Sequence, residues 1–175
     1  MSVEVVFETH STTEDNEAGV ATGWLPGRLS VAGRAQAREL GQRRRDDAIG
    51  VAFVSDLGRA VETAEIAFAG SGLPIVPDAR LRECNYGVLN GTTAPLRDRA
   101  AHIDVPYPGG ESWRQAVERG VGFLDELRRE RDGERVLVIG HVATWFGLEV
   151  ETNGRQLESL IAAPFDWQPG WEYVL

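Results

Sequence analysis

The chain predicts a layered α/β domain, and two observations carry that prediction. Apolar runs rich in β-branched residues recur at Val3–Phe7, Ile49–Val54, Leu73–Val76 and Glu134–Gly140, and segments of helical spacing separate them. Chemically versatile side chains follow three of these runs at once: His10, then Ser55 with Arg59, then His141. If the strands are parallel neighbours, these groups meet at one edge of the sheet, where α/β proteins gather their chemistry.

The elements follow in order. Val3, Val5, Val6 and Phe7 suit a buried strand, and the polar stretch from Glu8 to Asn16 ends it with His10 at its exit. On that segment alone, an ordinary loop histidine is an equally good reading. A loop punctuated by Gly19, Gly23, Pro26 and Gly27 runs from Glu14 to Ser30. Ser30 is a fitting N-cap for a helix reaching Arg45, and Arg43 to Arg45 suit the negative end of its dipole as a solvated terminus. After the second strand, Ser55 or Asp56 is placed to cap a helix from about Leu57 to Ala69. Arg59 sits in its first turn, where a helix favours anions.

Pro77 to Pro108 lacks periodicity. A loop region of that length in a compact domain is more often functional than idle, and it has room for short helical turns. Glu111 to Arg131 is helical, with Trp113, Ala116, Val117, Val121, Leu124 and Leu127 at core spacing. Glu134 to Gly140 is the clearest buried strand. A helix from Val142 to Val150, a shorter one at Gln156 to Ala162 and a closing strand at Trp171 to Leu175 complete the chain. Residues 1–175 read as one domain, without repeats or a linker.

Composition narrows the function. The net charge of −9 argues against nucleic acid as a main partner, because backbone phosphates need a basic surface. No apolar run approaches the roughly 20 residues that cross a bilayer, and no secretory leader is legible, so a cytoplasmic protein without a membrane partner is expected. Cys84 is the single cysteine, so an intrachain disulfide is impossible and a Cys-based zinc site implausible. All 18 basic residues are Arg. Lysine Schiff-base chemistry is therefore excluded, and every cationic side-chain contact is guanidinium or imidazole.

Two imidazoles and a guanidinium at a helix N-terminus make a site for a dianionic oxyanion such as phosphate. One neutral histidine can act as nucleophile and the other can donate hydrogen bonds. A carboxylic acid must then protonate the leaving oxygen, and Glu83 in RLRECNYG is the natural candidate.

These residues lie in an order that resembles the histidine phosphatase superfamily, the phosphoglycerate mutase-like family. Its first motif is Arg-His-Gly followed by Thr and Asn, and here His10, Thr13 and Asn16 stand at those offsets. Thr22-Gly23, LSVAGRAQAREL (29–40), SDLGRAVETAE (55–65), RLRECNYG (80–87), PGGES (108–112) and VLVIGHVAT (136–144) resemble the motifs that follow. The resemblance implies a three-layer α/β/α sandwich with a mostly parallel, mixed sheet. It implies a metal-independent phosphatase acting on a small phosphorylated molecule, without cofactor. His10 would carry the phosphoryl group, Arg59 and His141 would hold its oxygens with Asn16 assisting, Glu83 would be the proton donor, and Thr22 and Gly23 would contact substrate. A metal site at His10, Glu83 and His141 is the minor alternative.

One departure stands out. Thr9-His10-Ser11 replaces Arg-His-Gly, so a neutral side chain stands where a phosphoryl-clamping arginine belongs, with the negative Glu8 beside it. Such a contact is worth roughly 1.5–3 kcal/mol, so reduced or altered activity is expected. Arg28, in the substrate loop, is a candidate replacement. The competing readings are a catalytically weakened phosphate-ligand-binding protein and a mutase-type phosphotransferase. The second is disfavoured because the chain lacks the segments that mutases insert around the cleft. Among the remaining residues, Cys84 reads as an inert buried thiol, His102 as surface or rim, most tryptophans as core with Trp24 the best rim candidate, and Tyr86 and Tyr107 as possible substrate contacts. Oligomeric state is open, a homodimer included.

Overall fold

The computed structural model describes residues 2–175, and they build a three-layer α/β/α sandwich. Five strands form one sheet: β1 (Glu4–Thr9), β2 (Val51–Ser55), β3 (Ile75–Asp78), β4 (Arg135–Gly140) and β5 (Trp171–Val174), ordered β3-β2-β4-β1-β5. The first four run parallel and β5 lies antiparallel on β1. The helices are α1 (Glu14–Glu17), α2 (Val31–Arg43), α3 (Gly58–Ala67), α4 (Trp113–Glu130), α5 (Val142–Asn153) and α6 (Leu157–Ala162). None of the described helices is long and apolar enough to cross a membrane.

Strand alternation sorts the core into two layers. Val5, Phe7, Phe53, Val136 and Val138 pack with Trp113, Phe123 and Leu124 of α4 and Phe146 and Leu148 of α5. Their neighbours Val6, Ala52, Val54, Leu137 and Ile139 face the other way, under Ala60 and Ala64 of α3. Buried on both faces, β1, β2 and β4 must be near-continuously apolar, which is why their sequences show runs rather than alternation.

Several local expectations shift. The loop after β1 contains the single turn α1, whose Thr13 cap is closed reciprocally by Asn16. Neither Ser55 nor Asp56 caps α3. Its cap is Leu57, because the Ser55 hydroxyl is engaged by His141 and Asp56 forms a two-pronged ion pair with Arg82. The stretch from 77 to 108 holds 3-10 turns at Ala79–Leu81, Gly87–Leu89, Ala94–Leu96 and Ala100–His102.

The arginines at the end of α2 are not a solvated terminus. Glu8 is 1% exposed, and both of its carboxylate oxygens accept from Arg43 while Arg44 donates at 2.8 Å. The negative charge beside Thr9 is therefore compensated inside the fold. Replacing both arginines by methionine leaves a buried carboxylate without a cation and is expected to cost about 3–5 kcal/mol. Adding Glu8→Gln to that double variant should recover most of the loss in urea unfolding. A triple variant no more stable than the double would contradict the assignment.

Candidate active site

Parallel pairing of β1 with β4 makes the site. Thr9 lies opposite Gly140, and the His10 N–H continues the ladder to the Gly140 carbonyl at 3.0 Å. The next residue on each strand is a histidine, and the two rings come to 4.9 Å between centroids. β2 is the other neighbour of β4 and ends in Ser55. Gly140 is required by close approach: a Cβ there would stand 2.3 Å from Thr144 Oγ1, which folds back to accept the His141 N–H at 3.1 Å.

Arg59 joins the two rings. It is 2% exposed, and its terminal nitrogens donate to the carbonyls of Gly23 (2.9 Å) and Leu25 (3.0 Å). Its Nε faces His10 Nε2 at 3.4 Å and its Nη2 faces His141 Nδ1 at 3.3 Å. These partners assign the tautomers. His10 Nδ1 bears the hydrogen, 2.8 Å from the Ser11 carbonyl, and Nε2 keeps its lone pair. His141 presents Nδ1 to the guanidinium and binds Ser55 Oγ through Nε2 at 2.8 Å. Burial, then the Arg59 charge, lower the His10 imidazole to about 3, against an opposing pull from the Ser11 carbonyl. Burial and the same guanidinium hold His141 well below the usual histidine range. Both rings are neutral at physiological pH, and the lone pair on His10 Nε2 is met only by the long contact from Arg59 Nε.

Glu83 is aimed from the third side. Its Oε1 accepts the backbone N–H of Cys84 (2.9 Å) and of Ala143 in the first turn of α5 (3.2 Å). Its backbone is held as firmly: Trp24 Nε1 donates to the Glu83 carbonyl at 2.7 Å, and Arg119 of α4 spans the carbonyls of Arg80, Arg82 and Glu83. The Arg82 guanidinium stacks 4.5 Å over the Trp24 ring. Trp24 is thus a strut for the acid loop rather than a rim residue. Gly23 is fixed by φ +56° and by Asn90, whose Oδ1 would lie 1.8 Å from a Cβ; that oxygen ties the Trp24 and Tyr86 amides together.

His10, Glu83, Arg59 and His141 share a cavity of about 370 Å³ with Thr9, Asn16, Thr22 and Gly23. Arg28 is not brought there. It is exposed and paired with Glu14 at 3.1 Å, because its place before Leu29 turns it toward α1. Asn16 and Thr22 line the cavity while spending side-chain atoms on Thr13 and Asp15. Tyr86 lines it too, whereas Tyr107 is buried against Trp113 and stacks on His102, with 3.8 Å between the ring centroids. Cys84 is buried, with its thiol pushed up by desolvation, as an inert thiol would be.

Ser55, expected at this edge from its place after the second apolar run, orients His141. Two participants were not identified from sequence. Trp167, 59% exposed, lines the cavity and donates to Thr9 Oγ1 at 3.1 Å. Arg99 lines it with its guanidinium 5.5 Å over Trp113 and its Nε enclosed without an acceptor.

Comparison with known proteins agrees with this geometry. A family profile, Histidine phosphatase superfamily (branch 1), matches residues 6–162. A 2,3-bisphosphoglycerate-dependent phosphoglycerate mutase of Methylobacterium is 33% identical, the match covering 89% of this chain and 83% of that one. A protein of the same name from Parvibaculum lavamentivorans is 30% identical over 90% and 83%. Among solved structures, Bacillus stearothermophilus YhfR superposes with a TM-score of 0.85 at 27% identity, over 95% of this chain and 88% of that one. A mycobacterial glucosyl-3-phosphoglycerate phosphatase complexed with VO3 gives 0.80 at 25% identity, over 92% and 87%.

The depressed imidazole gives a pH prediction. The unfolded chain takes up protons at His10 from about pH 6.5 downward and the native protein only near 3. The stability tied to the neutral ring is therefore present above pH 6.5 and is lost as the pH falls toward 3. Ring resonances of His10 should keep their neutral-form shifts down to pH 4. Native-state titration of His10 near pH 6.5 would refute the reading.

Proposed function

The chain belongs to the histidine phosphatase superfamily, and on that premise we propose that it is a cytoplasmic phosphatase that hydrolyses a small phosphorylated molecule through a phosphohistidine on His10. The observation that carries this reading is the neutral, Nδ1-protonated His10, whose Nε2 opens on a cavity shared with Arg59, His141 and Glu83.

The steps follow from the hydrogen bonds. His10 Nε2 attacks phosphorus as the ester oxygen departs with a proton from Glu83. Oε1 of Glu83 is occupied by two backbone amides, which assigns the transferable proton to Oε2. The long contact between Arg59 Nε and His10 Nε2 is exchanged for a phosphoryl oxygen, while the Gly23 and Leu25 carbonyls keep the guanidinium in place. The Ser55 hydroxyl can accept from an Nε2–H or donate to a bare Nε2, so it fits either neutral tautomer of His141, and the form with hydrogen on Nδ1 can donate to a phosphoryl oxygen. Water, losing a proton to Glu83, then attacks the phosphohistidine and releases phosphate and free His10. Arg99, without an acceptor of its own, stands ready for an anionic group on the part of the substrate that leaves.

The names of the relatives favour a second reading, transfer of the phosphoryl group to another hydroxyl rather than to water. One experiment covers both. Phosphate release from 4-nitrophenyl phosphate and 3-phosphoglycerate is measured for the wild type, His10→Ala and Glu83→Gln, with isomerisation of 3-phosphoglycerate followed in the presence of 2,3-bisphosphoglycerate. Release is expected to vanish in His10→Ala and to fall about 10²–10⁴-fold in Glu83→Gln, with acid-labile label trapped on His10. Isomerisation outpacing release would make it a mutase. Equal release by wild type and His10→Ala would leave only a binding protein.

A further inference from the structure

We infer that this phosphoryl site is built for phosphodiesters, a monoanionic phosphorus with two ester arms, in preference to dianionic monoesters. The inference rests on the His10 chemistry proposed above and adds the class of substrate. Two independent observations carry it, one of charge and one of space.

The charge at the phosphorus is small. Both imidazoles are neutral, and Arg59 is the one guanidinium bonded to them. Thr9 contributes none. Arg43, which lines the same cavity, is committed to both oxygens of Glu8, and Arg28 is exposed and held by Glu14. Arg99 lies toward Tyr86, since its guanidinium and the Tyr86 ring share Trp113. One guanidinium matches the single charge of a diester and leaves a monoester dianion half compensated. A diester also has one fewer non-bridging oxygen to satisfy.

The space lies where the missing charge would be. The cavity that holds His10 is also lined by Thr9, Thr12, Gln36, Glu39, Arg43 and Trp167. Thr9 puts a short side chain on this part of the lining, and the hydrogen bond from Trp167 Nε1 to Thr9 Oγ1 holds the indole against it. A second ester arm on phosphorus can pass into it, flat against the ring, while the first arm departs toward Glu83 and Arg99. An arginine at residue 9 would fill the passage and demand a charged oxygen there.

The reaction balances without a co-reactant. His10 Nε2 forms a P–N bond as the P–O bond of one arm breaks, and Glu83 protonates the departing oxygen. The intermediate retains the second ester. Water attacks it, Glu83 recovers the proton, and the products are one alcohol and one phosphomonoester.

The test compares kcat/KM for bis(4-nitrophenyl) phosphate and 4-nitrophenyl phosphate in the wild type, Thr9→Arg, Trp167→Ala and His10→Ala. The diester should be preferred by the wild type, with one nitrophenol released rapidly per diester. Thr9→Arg should lower the diester-to-monoester ratio by about 10- to 100-fold, the factor of one charge-assisted contact. Trp167→Ala, at an exposed position that does not threaten folding, should lower the same ratio by weakening the diester. A wild-type preference for the monoester, or a ratio that neither substitution moves, overturns the inference while leaving the phosphatase reading intact. Absence of turnover on both substrates, or turnover that survives His10→Ala, overturns the phosphatase reading itself.

Discussion

A single buried guanidinium governs the chemistry of this protein. Arg59 is enclosed at 2% exposure with no carboxylate salt-bridged to it, so its hydrogens go to the carbonyls of Gly23 and Leu25 and to two ring nitrogens. A cation in that position forbids a second cation beside it. Burial first, and this neighbouring charge second, hold both histidines neutral, so the lone pair of His10 survives at pH values where a solvent-exposed imidazole would carry a proton. The neutral ring of His10 and the guanidinium beside it are thus one electrostatic arrangement. It depends in turn on loop 22–25, which has no regular structure and is pinned through Asn90 to the acid-bearing segment.

That segment shows how an aperiodic stretch becomes rigid. Residues 79 to 90 offer no helical or strand repeat, yet almost every turn is fastened by a named side chain: Asp78 and Glu126 on Arg80, Asp56 on Arg82, Arg119 on a row of carbonyls, Glu111 on the Asn85 amide. Glu83 is placed by its neighbours' bonds more than by its own. Its carboxylate meets the first turn of α5, the helix that begins after His141, so Glu83 and the second imidazole share one anchor.

What the sequence disclosed, and what it withheld, divides along the same line. Strands buried on both faces announce themselves as apolar runs, and parallel pairing then forces the residues after Thr9 and Gly140 together, so His10, His141 and Arg59 could be placed by topology alone. The capping role of Ser30 was likewise local and legible. Long-range polar contacts were not. Trp24 looked like a rim aromatic because its partner, the Glu83 carbonyl, is 59 residues away. Trp167 is separated from Thr9 by 158 residues, and no periodicity connects them. Arg28 misled for the opposite reason: it lies in the right loop, but a nearby carboxylate on α1 claims it first.

The arginines of α2 complete the account of residue 9. Neighbours on a strand point to opposite faces, so the charge that Glu8 gathers belongs to the α2 side and cannot be lent to Thr9. Arg43 and Arg44 face Glu8, and Arg44 also holds Asp47 at 2.8 Å, so two cations meet two anions and the cluster carries no net charge. Guanidinium is therefore abundant around the candidate site, with Arg59 against both imidazoles, yet none stands at residue 9. The loss of the motif arginine is not offset by a displaced copy. It leaves a neutral side chain beside His10, bonded by an indole rather than by a cation, and the one guanidinium that meets the ring is Arg59 of α3, from the neighbouring β-α unit.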